Sequence, residues 1–384
     1  MSETDLRPDS VEVAEAAARL RSAYVHVPFC ARVCPYCDFA VVEGRDDLAD
    51  RYLAALMASI VRAEPWEPLD AVFVGGGTPS RFGVGRLTAV LSALRDRFGL
   101  TPEAEATLEA NPEDWNDDLA SALVEAGFTR VSFGAQSFDS EVLDCLGRRH
   151  GPGDISRSVA SARRAGFASI SLDLIFGTPG EGLSAWERTV EQAVALEPDH
   201  LSCYALTVEK GTPLSRQVLS GAPAPDPDLQ ADQYELASEL LAGAGYVRYE
   251  VSNWARPGHV CRYNLSVWGQ GEYEAFGTGA HGFRNGARFR NVRRLDAYLE
   301  RVEAGVSPRA GEDRLAGFEA ELDRVFVGLR RVAGVSDGPG VQALLSSQEG
   351  RRLVEAGLVE HGSGHLRVVD PLLTDEVERA VLGL

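Results

Sequence analysis

Between residues 24 and 206, short apolar runs alternate with longer segments in which apolar residues recur every three to four positions. Short continuous apolar runs are typical of strands buried on both faces, and the longer spacing is typical of amphipathic helices. In the segment 47–62, for instance, Leu48, Tyr52 and Leu56 fall on one side of a helix. The apolar runs predict strands at residues 24–27, 71–74, 106–110, 130–134, 169–175 and 200–205.

Between these runs, apolar residues recur at helical spacing and predict helices at residues 47–62, 84–98, 117–126, 140–145, 154–165 and 184–196. Strands that alternate with helices over short turns run parallel, with right-handed crossovers. The pattern predicts an α/β fold with a partial TIM-type (β/α)6 barrel, and a doubly wound sheet is the alternative. In a barrel, the loops at the carboxyl ends of the strands carry the chemistry.

The alternation stops near residue 207, which predicts a change of domain. Farther along, helical stretches precede two short apolar runs and a last helix at 374–382, an order that favours a winged-helix-like unit. We therefore expect four parts. They are an acidic amino-terminal segment (1–22), the barrel (23–207), an α+β extension (208–309) and a winged-helix-like carboxyl-terminal unit (310–384).

The composition narrows the functional classes. A net charge of −19 argues against general nucleic-acid binding, which needs a basic surface. No apolar run approaches the ~18 residues of a membrane span, and the acidic start does not resemble a signal peptide. We expect a cytoplasmic protein with at most peripheral membrane contact. Six cysteines in 384 residues do not make a disulfide framework.

The loop after the first predicted strand holds Cys30, Cys34 and Cys37, at spacings of four and three. Three thiolates on one tight loop can hold three irons of a cubane 4Fe–4S cluster, which leaves the fourth iron open to a small molecule. A zinc site and unrelated free thiols are the alternatives. Zinc usually takes four Cys or His ligands, and no fourth ligand follows at zinc spacing. The loop therefore favours a cluster with one open iron.

Glycines and polar residues stand at the ends of the later strands. Gly75, Gly76 and Gly77 follow the second strand, and their lack of a Cβ lets a ligand approach the backbone. Hydrogen-bonding side chains stand on or at the end of the third, fourth and fifth strands, at Glu109, Gln136 and Asp173 respectively. Arg148 lies in a loop after the fourth strand. We expect these side chains around one barrel mouth, where carboxylates accept from hydroxyls while Gln and Arg donate to a carboxylate.

The cysteine loop, with Tyr36 just before its last cysteine, resembles that of the radical S-adenosylmethionine (SAM) enzymes. The resemblance implies a 4Fe–4S cluster on Cys30, Cys34 and Cys37, with SAM bound at the open iron. It also implies that SAM is contacted by the residues at matching positions, with Ala205 near the adenine. These residues are Tyr24, Gly75, Gly76, Gly77, Thr78, Glu109, Gln136, Arg148, Asp173 and Ala205.

Nearly the whole chain resembles the branch that contains the anaerobic coproporphyrinogen oxidases. Those enzymes carry a further cysteine two residues after the third cluster cysteine, where this chain has Phe39. Phe39 matches the HemW-type haem chaperones, which implies binding of haem and its delivery to an apo-haemoprotein. It also implies a low-potential electron donor such as a flavodoxin or ferredoxin. A HemN-like radical enzyme, either a methyltransferase or a porphyrin-modifying oxidoreductase, is the alternative.

The expected haem segment departs from the HemW pattern. Asn264 and Trp268 match it, but Tyr263 stands where a histidine that contacts haem is expected. Three readings stay open. Tyr263 binds the iron as tyrosinate, as in catalases; His281 or Cys261 supplies the ligand instead; or haem transfer has been lost. The arginines that follow this segment, which could pair with porphyrin propionates, are Arg284, Arg288, Arg290, Arg293 and Arg294.

Overall fold

The structure is a computed structural model that describes residues 7–384, so the first six residues of the predicted acidic segment lie outside it. The remainder of that segment contains a short helix, Val11–Ala17. The Ser10 side chain begins this helix by accepting a hydrogen bond of 3.3 Å from the Val13 N–H. Within the described residues, no helix combines the length and apolar character needed to cross a membrane.

Parallel strands in sequential order form the centre of the molecule. Each strand pairs with the next along the chain, and the order does not reverse. A doubly wound sheet requires such a reversal, so the alternative is excluded and the predicted partial barrel is confirmed. The strands of the barrel are Ser22–Val27, Leu69–Gly76, Leu100–Ala110, Arg130–Gln136, Ser169–Phe176 and His200–Ala205.

Helices pack against the outside of these strands and enclose the main core, in which Tyr52, Phe133 and Trp186 are fully buried. Local signals set their ends. The Asn116 side chain accepts from the Leu119 N–H at 2.9 Å, and Gly127 ends the same helix with a φ of 104°. The helices of the barrel are Ala49–Arg62, Pro79–Phe82, Val84–Phe98, Asp117–Ala126, Ser140–Cys145, Pro152–Ala165 and Leu183–Ala195, with 3-10 turns at Asp46–Leu48 and Pro112–Asp114.

The extension lengthens the barrel sheet at both edges. Tyr273–Phe276 runs parallel to the first strand, and three antiparallel strands follow it: His281–Arg284, Ala287–Asn291 and Arg309–Arg314. The boundary predicted between residues 309 and 310 falls after the first residue of the last strand. At the other edge lie Asn253–Ala255 and Val247–Glu250. The helices of the extension are Pro213–Leu219, Pro227–Gly243, Arg262–Trp268 and Leu295–Glu303.

The carboxyl-terminal unit has its own apolar core, which includes Val325, Leu344, Leu366 and Val377. A three-stranded sheet in the order Val335–Ser336, His365–Val368, Val359–Gly362 packs with its helices. Those helices are Gly317–Gly328, Pro339–Ser346, Gln348–Glu355 and Thr374–Leu382, with a 3-10 turn at Pro371–Leu373. The winged-helix-like order expected from the sequence is present, and the domain divisions themselves stay predictions.

Candidate functional site

A cavity of about 660 Å³ opens at the carboxyl ends of the barrel strands. The cysteine loop forms one wall, and the loops after the later strands form the others. Many of the residues singled out from the sequence line it: Cys30, Cys34, Cys37, Gly76, Gly77, Thr78, Glu109, Gln136, Arg148, Asp173 and Ala205. This is the position at which a barrel carries its chemistry.

The cysteine loop is held in shape by backbone hydrogen bonds. Phe29–Cys30 pairs with Val42–Glu43 as a small parallel ladder, which closes the loop. Inside it the Cys37 N–H donates to the Cys34 carbonyl at 3.1 Å. As a result, the thiols of Cys30, Cys34 and Cys37 are all half-buried and line the same cavity.

Two donors reach the thiols from other loops. Arg148 Nη1 donates to Cys34 Sγ at 3.5 Å, and Thr78 Oγ1 donates to Cys30 Sγ at 3.8 Å. Burial raises the pKa of Cys30 to about 11 and also raises the pKa of Cys37. Binding of iron by these thiols therefore displaces their protons, because thiolate is the binding form.

The three thiols are not arranged to bind a single metal ion. Among residues 7–384, no group of three or more Cys, His, Asp or Glu side chains converges on a point where a single ion could sit. In a cubane cluster each thiolate binds a different iron, so the thiols need not converge on one point. Three thiols spread along one cavity wall suit such a cluster.

Arg148 is half-buried beside the cysteine loop and is incompletely paired. Its Nη2 donates to Asn111 Oδ1 at 2.5 Å and to the Gly134 carbonyl at 3.0 Å. Its Nε is buried and has no hydrogen-bond partner in the structure. An unpaired buried donor is costly, so an anionic ligand in the cavity would stabilise this side chain.

The glycine turn after the second barrel strand forms part of the cavity wall. An added Cβ at Gly77 would lie 2.8 Å from the Val27 carbonyl oxygen, and Gly76 has a φ of 113°. Both positions therefore require glycine. The Gly76 N–H donates to Glu109 Oε2 at 2.9 Å, which orients this carboxylate. Burial, opposed by that hydrogen bond, raises the pKa of Glu109 to about 7.

Glu109→Gln should stabilise the cluster-free protein at alkaline pH. Because the pKa of Glu109 is about 7 against an ordinary 4.5, the folded state loses stability as pH rises through this window. The cost above pH 7 is roughly 3 kcal/mol at most, at 1.36 kcal/mol per unit. Urea unfolding at pH 8 and pH 4 checks this: the variant should gain stability at pH 8 and little at pH 4. An equal gain at both pH values would contradict it.

Asp173 and Gln136 complete the cavity wall. The Ser132 hydroxyl lies 3.0 Å from both carboxylate oxygens of Asp173, and burial raises the pKa of this Asp. Gln136 ends the fourth strand with a φ of 63°. A left-handed conformation is uncommon for residues other than glycine and is found at ligand sites. The strand end thus places a polar side chain in the cavity at a conformational cost.

Some cavity residues were not found from the sequence. Asn111 binds Arg148 and also donates to Thr78 Oγ1 at 3.1 Å. Its place in an Asn-Pro pair directly after a strand is a signal that could have identified it. Tyr204 also lines the cavity, as does Ser252 from the extension. Ser252 has no recognisable sequence signal, because it reaches the cavity only through the pairing of distant strands.

Two predicted residues near the cavity do not line it. Tyr24 lies inside the barrel, where its hydroxyl is 3.1 Å from His26 Nδ1. Gly75 lies behind the cavity wall, where an added Cβ would come within 2.8 Å of Glu109 Oε2. Both lie beside residues that line the cavity.

Tyr263 and His281 lie in different surroundings. The Tyr263 ring packs inside the barrel against Tyr24 and Phe73, with ring centroids 5.9 Å and 5.1 Å away. Burial raises the pKa of Tyr263 well above 10, which opposes the ionisation that iron binding requires. His281 is exposed at the start of an extension strand, and burial and two arginines lower its pKa. Its imidazole is therefore neutral at neutral pH.

Comparison with known proteins agrees with the fold. Residues 24–193 match the radical SAM superfamily model. The chain is 40% identical to heme chaperone HemW of Mycobacterium tuberculosis, over 94% of both chains. It is 33% identical to the Bacillus subtilis HemW, over 95% of this chain and 100% of that one.

Among solved structures, the coproporphyrinogen III oxidase HemN of Escherichia coli superposes with a TM-score of 0.82, over 96% of this chain and 91% of HemN. At 23% identity this likeness concerns the fold alone. Membership in the radical SAM superfamily implies a 4Fe–4S cluster and SAM, and the three-thiol cavity fits both. On the extent of its similarity to the curated relatives, the chain belongs to the HemW family of radical SAM proteins.

Proposed function

We propose that this protein is a haem chaperone, which binds haem and inserts it into haemoproteins. The observation that carries the proposal is the 40% identity to heme chaperone HemW, which extends over 94% of both chains. Such coverage includes the barrel, the extension and the carboxyl-terminal unit. Phe39, in place of a fourth cysteine near the cluster loop, supports the chaperone over a coproporphyrinogen oxidase.

We assign the cluster to Cys30, Cys34 and Cys37, with SAM in the cavity beside it. When bound by these thiolates, the cluster would supply a low-potential electron and an iron open to SAM. Arg148 offers its unpaired Nε to an anion, and Glu109 and Asp173 accept from hydroxyls. The other contacts in this proposal are Gly76, Gly77, Thr78, Gln136 and, at the adenine, Ala205. Tyr24 and Gly75, which the sequence also singled out, lie behind this wall and act by supporting it.

We assign the haem ligand to His281. His281 is paired across the extension sheet with Arg290, and Phe283 with Arg288. Residues directly opposite on antiparallel strands share a face of the sheet, so one face carries an imidazole, an aromatic ring and two guanidinium groups. Arg288 already pairs with Asp323 at 2.7 Å, so we assign the propionate contact to Arg290. Neutral imidazole binds haem iron, and arginine pairs with carboxylates such as the propionates.

The other two ligand candidates fit less well. Tyr263 is packed among aromatic rings, and its pKa is raised well above 10. Cys261 is buried, and burial raises the pKa of its thiol to about 12. Neither residue offers an ionised ligand to a large planar molecule that approaches from the surface.

The proposed haem face adjoins the cluster loop. Arg293, which follows the strand Ala287–Asn291, binds Asp38 Oδ1 of the loop at 3.0 Å. Next to Asp38, the Phe39 side chain is 65% exposed, which leaves an apolar surface available. Haem on this face would lie beside the cluster loop, where a reductant such as a flavodoxin or ferredoxin delivers electrons.

A ferric-haem titration tests the proposal. Anaerobically purified protein should bind haem with a Soret band distinct from that of free haem, at a stoichiometry of one haem per chain. Bovine serum albumin at the same concentration provides the control for unspecific haem association. A titration in which no distinct Soret band develops would exclude a haem chaperone.

A further inference from the structure

A second cavity, of about 470 Å³, lies on the opposite face of the extension sheet from His281. It is enclosed by the end of the helix Ala49–Arg62, the outer face of the extension strands and the segment after Leu295–Glu303. Its volume falls within the range of small-molecule sites. It shares no lining residue with the cluster cavity.

Arginines dominate its polar wall. Arg284 Nη1 donates to Glu274 Oε2 at 3.1 Å, and Arg309 Nη2 lies 3.5 Å from the other oxygen, Oε1. Arg62 Nη1 donates to a neutral group, the Val302 carbonyl, at 2.8 Å. Glu274 is buried, so two guanidinium groups share one buried carboxylate, and the third is not paired with it. Glu64, Glu312 and Arg314 complete the charged groups, at the rim of the cavity, where Glu312 pairs with Arg309 at 3.3 Å and with Arg314 at 3.1 Å. The cavity therefore holds four arginines against three glutamates.

A second observation, the unpaired Nε of Arg284, also favours an anion in this cavity. Its side chain is only 9% exposed, and its buried Nε has no hydrogen-bond partner in the structure. The guanidinium is fixed by its bonds to Glu274 and the Pro65 carbonyl and by the Trp66 ring, 4.5 Å below it. A buried N–H group that is held in place without an acceptor favours an anion.

Part of the remaining wall is apolar. Phe276, Val302 and Val306 line it together with Pro308. The combination of fixed guanidinium groups and an apolar wall suits a molecule with an anionic group on a compact carbon body. We propose that this arginine cavity binds a small organic anion that carries carboxylate or phosphate groups. The site is separate from both the cluster cavity and the proposed haem face, and it does not depend on the haem assignment.

The proposal is tested by calorimetric titration of the protein with two probes. Citrate supplies carboxylate groups and adenosine monophosphate supplies a phosphate, so separate titrations distinguish the two kinds of anion. At least one probe should bind, and Arg309→Gln should weaken binding about tenfold, the effect of losing one charge-assisted contact. Glu274→Gln should strengthen it, because this variant removes the competing carboxylate. The matched control is Arg367→Gln, which replaces an exposed arginine of the carboxyl-terminal unit.

Thermal unfolding of each variant without ligand establishes that it folds before it is titrated. Opposite effects of Arg309→Gln and Glu274→Gln, with Arg367→Gln unchanged, support the site. The proposal is wrong if neither probe binds the wild-type protein. It is also wrong if Arg367→Gln weakens binding as much as Arg309→Gln, since that result describes unspecific charge attraction.

Discussion

Cys34→Ala should weaken iron binding by the anaerobically reconstituted protein by at least about tenfold, because loss of even a residue that supports a metal ligand lowers metal affinity by about this much. The Cys34 thiol lines the cluster cavity and accepts from Arg148 Nη1 at 3.5 Å. With two thiols left, the loop cannot hold three irons. Iron and sulfide analysis and the absorbance of the cluster near 400 nm check the result, and reductive cleavage of SAM should disappear with the cluster.

Cys145→Ser is the matched control for this experiment. Cys145 is an exposed thiol at the end of the helix Ser140–Cys145 and does not line the cluster cavity. This variant should reconstitute like the wild type. Full iron content in Cys34→Ala, or equal losses in both variants, would contradict the assignment of the cluster to the loop.

His281→Ala should weaken haem binding by at least about tenfold, or ~1.4 kcal/mol, and should change the Soret band. The exposed imidazole stands opposite Arg290 on the proposed haem face. Loss of an axial ligand alters both affinity and spectrum, whereas loss of packing alone leaves the spectrum of the bound haem unchanged. Haem titration followed by absorption spectroscopy separates the two effects.

Tyr263→Phe provides the comparison for His281→Ala, because it removes only the hydroxyl from a ring that packs on Tyr24 and Phe73. We expect its haem affinity and spectrum to match the wild type. If Tyr263→Phe loses the Soret shift while His281→Ala keeps it, the ligand is the tyrosine. The aromatic packing would then have to open for haem to bind.

The barrel was predictable because its strands are continuous apolar runs and its helices have regular spacing. The strand Ser169–Phe176, for example, was expected at 169–175. The cavity was expected because parallel strands bring their carboxyl ends together, whatever their separation in the chain. Glu109 and Asp173, from two such ends, do line one cavity.

The extension was not predictable to the same degree, since its strands are short and lie at the sheet edges. His281–Arg284 has only four residues, one of them a glycine, so no period could be recognised. The sequence motif placed Tyr263 and His281 near each other as alternative ligands. Their separation follows from tertiary packing. Tyr263 lies on a helix and its ring enters the barrel, whereas His281 lies on a strand outside the barrel.

Haem transfer tests the central claim most directly. Haem-loaded protein is mixed anaerobically with increasing concentrations of an apo-haemoprotein, and the Soret band of the acceptor is followed in time. The proposed chaperone should transfer haem at a rate that rises with acceptor concentration, because transfer then requires contact between the two proteins. The account would be contradicted if haem left at a constant rate whatever the acceptor concentration, or if the protein with SAM and a reductant consumed coproporphyrinogen instead.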